Sequence, residues 1–248
     1  MTLLLTACGV DSTPDAPEST PVDTVESTPG STPVDTVEST PESTPVDAVE
    51  STPESTPEST PESTPESAVE NTPVGEYITF GEYEGEAIEW LVLEKQDEKM
   101  LVLSRYAFED RPYHDTYEDI TWENCTLREW LNDDFLNAVF TEEEKAMIPA
   151  VTVPAEKNPE YDTDPGNATQ DKVFLLSIAE AEKYFNSDAE RECAYKSGDW
   201  CWWWLRSPGF SQNNAAEVYN NGDVSKYGSS VDYGDNAVRP AMWIEIDP

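Results

Sequence analysis

Residues 11–73 repeat Ser-Thr-Pro-Glu and Ser-Thr-Pro-Val-Asp units, with Pro29, Pro33, Pro41, Pro45, Pro53, Pro57, Pro61 and Pro65 marking the period. Each proline fixes its own φ and disfavours helix at the residue before it. Residues 1–75 hold 15 acids, 12 prolines, no Lys or Arg and no aromatic side chain. Such a stretch cannot bury enough apolar surface to offset its ordering entropy, so residues 9–75 are expected to be a disordered acidic stalk. Like charges and prolines favour polyproline II, with an upper reach of about 200 Å at ~3.1 Å per residue. Residues 76–248 carry the other 37 acids, all 14 bases and all 8 tryptophans, enough chain for one folded core. The net charge of −38 divides into −15 and −23 between these parts. A polyanion does not neutralise phosphates, which excludes nucleic acid as a partner by that route. Nor is it a basic membrane-surface binder, and no run of about 18 apolar residues is present to span a bilayer.

Leu5-Thr6-Ala7-Cys8 resembles the end of a bacterial lipoprotein signal. In that class the Cys thiol is acylated and becomes the mature N-terminus, which would make Cys8 a lipidation site and residues 1–8 a truncated signal. The first base in the chain is Lys95. A full signal with its basic leader runs roughly 15–30 residues, so Met1 is expected to be an internal or trimmed start.

Glu76 to Ser104 reads as a β-meander, with strands at 77–80, 87–93 and 100–103 and turns near Glu84-Gly85 and Gln96–Glu98. Four capping boxes then predict helices: Thr126…Glu129, Thr141…Glu144, Ser177…Glu180 and Ser187…Glu190. Leu127, Trp130, Leu131 and Phe135 share one helical face. Pro149 stops the second helix, 150–171 reads as a long loop, and 173–176 as a short buried strand. Trp202–Leu205 returns to strand, with Trp202 and Trp204 facing one way, Trp203 the other, and burial for most of the tryptophans. Asn221-Gly222 predicts a type I′ hairpin, and 238–246 a closing strand. The order β, α, β points to an α+β domain with its terminal strands in one sheet.

Ile78-Thr79-Phe80-Gly81, Ile88–Leu93, Trp122–Arg128, Val173–Ser177, Trp204-Leu205-Arg206-Ser207-Pro208-Gly209 and Val238-Arg239-Pro240-Ala241 occur in this order. Together, over roughly residues 76–247, they resemble an uncharacterised bacterial domain family often attached to surface lipoproteins and usually described as C-type-lectin-like. The resemblance implies that fold and surface display, and no chemistry. The segment Arg206…Gly222…Arg239-Pro240 also resembles the variable proteins of diversity-generating retroelements, which display mutable residues on such a scaffold.

Ser211–Ala237 is the most informative stretch for function: 18 of its 27 residues are Asn, Asp, Tyr, Ser or Gly. These types dominate antibody paratopes, where Tyr supplies contact area and the small polar residues adaptable hydrogen bonds. They also serve plain turns. Val218, Val224, Val231 and Val238 recur as anchors. Asn213, Asn214, Tyr219, Asn220, Asn221, Tyr227, Ser229, Asp232, Tyr233, Asp235 and Asn236 are the candidate ligand contacts, in loops that Glu217, Asp223, Asp232, Asp235 and Lys226 charge only mildly. Arg206 and Arg239 are expected as buried partners of carboxylates.

Catalysis has little support. His114 is the only histidine, so a two-His metal site is excluded, and no GxSxG, P-loop or GxGxxG occurs. Asp162-x-Asp164-x-Gly166 faintly resembles the start of a calcium loop but lacks the placed Glu. No cofactor is expected beyond that trace of calcium. Cys125, Cys193 and Cys201 allow one disulfide at most, with Cys193–Cys201 sterically possible. Cys125 precedes a helix start, which lowers a thiol pKa, whereas burial raises it. The reading is a lipid-anchored cell-surface protein whose domain binds an extracellular protein or glycan. Its alternatives are a retroelement-diversified display protein, a formylglycine-generating-type oxidoreductase using Cys193 and Cys201, and a structural envelope protein.

Overall fold

A computed structural model describes residues 72–246. The Leu5–Cys8 lipobox and residues 9–71 of the expected stalk lie outside the described residues. No described helix is long and apolar enough to cross a membrane.

Strands β1 (Tyr77–Tyr83), β2 (Glu86–Gln96) and β3 (Lys99–Ser104) form the antiparallel meander. Glu84 and Gly85 both take positive φ, 53° and 81°, as a two-residue type I′ turn requires. Ile88, Trp90 and Val92 alternate inward on β2, while β3 is buried from Met100 to Ser104, so both faces of the sheet are covered at that strand. Its other neighbour is β12 (Ala241–Glu245), followed by β6 (Val173–Phe174). The sheet order β1-β2-β3-β12-β6 joins the first and last described strands in one antiparallel sheet. Helices and antiparallel sheets are segregated along the chain, so the fold is α+β.

One helical run covers Thr126–Trp130, continues through a π-turn over Leu131–Phe135 and ends with Leu136–Val139. Its expected stripe is real: Leu127, Leu131 and Phe135 are buried and Trp130 packs beside them. The run meets the sheet through edge-on rings, Phe108–Phe135 at 4.9 Å and Tyr83–Phe108 at 5.3 Å, and its cap Phe140 lies tilted on Phe80 at 5.4 Å.

Two of the four capping boxes form, at Thr141 and Ser177. The Thr126 box does not. Cys125 is the N-cap, the Thr126 N–H donates to His114 Nδ1 at 3.2 Å, and Thr126 Oγ1 accepts from the Asp115 N–H. A distant imidazole has replaced the local cap. His114 Nε2 faces Glu118 Oε1 at 2.9 Å, so the ring carries its proton there. Ser187 is an N-cap without a side-chain bond, and Glu190 reaches back to the Asn186 N–H instead. The expected 150–171 loop is closed at its base by β4 (Val151–Val153) pairing with β5 (Thr169–Asp171). Asp171 is buried there, accepting from Thr169 Oγ1, Trp122 Nε1 and Arg128 Nε at 2.6, 3.0 and 2.7 Å.

A second antiparallel sheet has the order β11-β10-β9, from β9 (Trp203–Pro208), β10 (Asn214–Val218) and β11 (Val224–Ser230). Trp203 and Trp204 are both fully buried although they point to opposite faces, so β9 is covered on both sides. Trp200 and Trp202 are exposed, which corrects the expectation of burial for most of the four. Arg206 is indeed a buried carboxylate partner, of Glu180. Arg239 is not: it donates to Ser104 O and Arg191 O and lies 4.9 Å from the Trp203 ring, with no carboxylate bridging it among the described residues.

Candidate ligand-binding face

The β10–β11 connection differs from the predicted type I′ turn. The Gly222 N–H donates to Tyr219 O and the Tyr219 N–H to Asp223 O, and of Asn221 and Gly222 only Gly222 has positive φ, 79°. This is a three-residue loop with a left-handed glycine at its end. Tertiary packing selects it. A Cβ on Gly222 would lie 1.7 Å from Asp188 O, and Arg191 Nε donates to Gly222 O at 2.9 Å.

The register then sorts the candidate contacts. Val218 pairs with Val224 and Trp203 at one end of the three strands, and Asn214 pairs with Ser230 at the other. Four steps of β10 at ~3.4 Å hold those ends about 14 Å apart. Tyr219, Asn220 and Asn221 belong to the first end. Asp232, Tyr233 and Asp235 follow β11 from the second.

Exposure sorts them again. Asn220, Asn221, Tyr227, Asp232, Tyr233 and Asp235 are exposed, and Tyr219 is half-buried. The other four bond within the fold, Asn213, Asn214 and Ser229 half-buried and Asn236 buried. Asn213 and Asn214 accept from Ser211 Oγ at 2.7 and 2.9 Å, fixing the turn into β10. Ser229 Oγ donates to Glu217 Oε1 at 2.9 Å. Asn236 is fully buried and donates to Glu217 Oε2, so it contacts no ligand, and its Oδ1 has no partner. Glu217, read from sequence as a surface charge of these loops, is likewise buried. Burial pushes its carboxyl above the ordinary range, and the bonds from Asn236 and Ser229 offset part of that rise.

The exposed tyrosines have partners that composition did not reveal. Tyr227 stacks on Phe210, with ring centroids 3.9 Å apart and planes 10° from parallel, and Tyr161 stands edge-on to both at 6.3 Å. Phe210 is 38% and Tyr227 54% exposed, so the stack presents its rings to solvent. The backbone beneath is tightly fixed. The Phe210 N–H donates to Tyr227 O at 2.9 Å, and a Cβ on Gly209 would come within 2.5 Å of that same oxygen. Asn158 Nδ2 donates to Pro208 O and Lys226 O, and Thr163 Oγ1 to Gly209 O, so the loop carrying Tyr161 is tied to both strands. Tyr219 lies against the exposed Trp202 at 4.7 Å.

Two open clefts lie elsewhere. One, of about 500 Å³, is lined by Tyr83, Tyr106, Phe108 and Tyr195 with Glu84 and Glu109. The other, of about 590 Å³, reaches Cys193, Arg239 and Trp200. No residue of 211–237 lines either. Asp162 is exposed beside Lys157 at 3.1 Å, and Asp164 accepts from the Gly166 N–H. No group of three potential metal ligands occurs among the described residues. Cys125 is buried, and burial pushes its thiol up to about 12, so burial overrides the helix start.

Fold and face together define an α+β domain with solvent-facing aromatic pairs on a small antiparallel sheet. The chain belongs to the DUF6273 family, described as a domain of unknown function, whose model matches residues 97–246. That match starts in the β2–β3 turn, so β1 and β2 complete the sheet from outside it. No curated protein and no solved structure matches the chain.

Proposed function

We propose that this chain displays a ligand-binding domain at the bacterial cell surface, on a C-type-lectin-like fold, anchored through a lipid on Cys8 and held off the membrane by the stalk, which ends before Pro73 because the Gly75 N–H already donates to Val92 O. The binding face is the Tyr161–Phe210–Tyr227 cluster, extended by Tyr219 with Trp202 and by the exposed polar residues Asn220, Asn221, Asp232, Tyr233 and Asp235. The observation that carries this reading is the stack of Phe210 and Tyr227, more than a third exposed yet fixed by backbone hydrogen bonds below it. An aromatic pair costs less when buried, so a rigid stack left facing water is suited to cover a ligand's apolar face. Sugar rings and side chains of an extracellular protein both offer one, and neighbouring carboxylates and amides supply hydrogen bonds.

A glycan array probed with the fluorescently labelled full chain, followed by pull-down from the native habitat, tests this. Binding that disappears in Tyr227→Ala and Phe210→Ala supports the assignment. Blank results in both assays, or binding untouched by both substitutions, reject it. Surface anchoring is tested separately by mass spectrometry of the mature N-terminus, where an unmodified Cys8 in a full-length clone would reject the lipid.

A further inference from the structure

Cys193 and Cys201 lie directly opposite one another in the antiparallel pair β7 (Cys193–Ala194) and β8 (Trp200–Cys201). Opposed residues of such a pair have Cα atoms about 4.5–5.5 Å apart, inside the range that a disulfide spans. The connecting turn is tightly closed, with the Tyr195 N–H on Asp199 O and the Gly198 N–H on Tyr195 O, both at 2.9 Å. Both thiols are buried, and Cys201 Sγ donates to Cys193 O at 3.5 Å. Cys193, only 2% exposed, also stands in the wall of the cleft of about 590 Å³, together with Arg239, so this cleft is where a small molecule comes nearest to it. The third described cysteine, Cys125, is engaged elsewhere, with Trp122 O.

We propose that Cys193 and Cys201 are a built dithiol–disulfide site, closed by exchange with a low-molecular-weight disulfide that enters along the Cys193 cleft. Cys193 is the attacking sulfur. The Cys201 thiol, which donates to Cys193 O, and the Arg239 guanidinium lie near it, and both hold its proton affinity below that of an ordinary thiol. The neighbouring Cys193 sulfur and burial leave Cys201 the more strongly protonated of the pair.

With oxidised glutathione the steps balance. The Cys193 thiolate attacks one glutathione sulfur, the glutathione S–S bond breaks, and one glutathione thiolate leaves. Cys201 then gives up its proton and attacks the Cys193 sulfur of the mixed disulfide, expelling the second glutathione. The two cysteines lose two electrons and two protons, and oxidised glutathione becomes two thiols. The new bond fixes the turn that carries Tyr195 and Trp200, one ring on the wall of each cleft.

The test uses the full chain, incubated with oxidised glutathione, alkylated in denaturant and digested with trypsin. Lys196 lies between the two cysteines, so they fall in separate peptides, 192–196 and 197–206. The expected product is those two peptides joined, lighter by two hydrogens than their sum, with Cys125 alkylated. Cys201→Ser is expected to trap glutathione on Cys193. Alkylation of both Cys193 and Cys201 in the oxidised wild-type chain overturns the proposal, as does a linkage through Cys125.

Discussion

Arg206 forks onto Glu180 in the interior, with Nη1 on Oε2 and Nη2 3.1 Å from Oε1. The same carboxylate accepts from the Ser177 N–H at 2.9 Å, closing the capping box of the Ile178–Tyr184 helix. One side chain therefore starts a helix and neutralises a buried guanidinium of β9. Arg206 adds a bond to Leu175 O at 2.8 Å, and only 3% of its side chain reaches solvent. Removing Arg206 empties a buried site and leaves Glu180, 22% exposed, without its charge partner, so Arg206→Ala is expected to cost about 3 kcal/mol, the low end for a buried pair. Arg206→Lys should recover only part, because an ammonium cannot form the fork. Urea unfolding at neutral pH measures both, and a loss for Arg206→Ala below about 1 kcal/mol, the level of an exposed pair, contradicts the account.

Glu217 makes a pH prediction with a definite sign. Its carboxyl is held above the unfolded value by burial, so the folded state binds this proton more tightly than the unfolded chain does. Its contribution to stability therefore grows as pH falls through the raised folded value, and turns unfavourable above it. Glu217→Gln removes the charge and keeps an acceptor for Asn236 or Ser229. The Tm difference, Glu217→Gln minus wild type, should be more positive at pH 8 than at pH 5. An equal difference at the two pH values shows that burial does not raise the folded value of Glu217 above the unfolded one.

These residues also mark where the sequence was legible. The meander followed from alternation and from Glu84-Gly85, because a strand pair joined by two residues needs nothing distant to set its register. Two capping boxes formed for the same reason. The Thr126 box failed because His114, far along the chain, took the N–H that the box would have satisfied. The Asn221-Gly222 turn changed type because Asp188 and Arg191 press on it. In the candidate face, Tyr227 was visible by composition, but its stacking partner Phe210 and the edge-on Tyr161 were not, since no local period joins them. Asn236 and Glu217 read as surface polar residues. Only the tertiary fold reveals that Asn236 donates to Glu217 inside.

Glu94 carries the opposite pH dependence. It accepts from Lys183 Nζ at 2.7 Å and from Tyr184 and Gln96 at 2.5 Å, and these bonds, Lys183's the largest, hold its carboxyl at about 2. A folded value below the unfolded one stabilises the protein above the unfolded pKa of about 4.3, and that gain is lost as pH falls through about 2. Glu94→Gln should therefore lower Tm at pH 6 and converge with wild type as pH falls toward 2. Lys183 is more than half exposed, so the difference at pH 6 should shrink in high salt. A gap that persists at low pH would assign the effect to packing instead of charge.

Tyr219 and Tyr227 should separate binding from folding. Tyr227 is more than half exposed, so replacing it with Ala forfeits mainly its stacking on Phe210, about 0.5–1 kcal/mol. Tyr219 is half-buried against Trp202, with centroids 4.7 Å apart, and its loss strips one side of that ring. Tyr219→Ala is expected to cost about 1 kcal/mol more than Tyr227→Ala. Trp203→Ala, at a fully buried ring bonded to Arg191 O, should cost about 3–5 kcal/mol and serves as the core reference. Thermal unfolding of the three variants gives the order Tyr227, Tyr219, Trp203. If Tyr227→Ala instead destabilises the domain as much as Trp203→Ala, the Phe210 stack is a structural strut, and its rings are not there to meet a ligand.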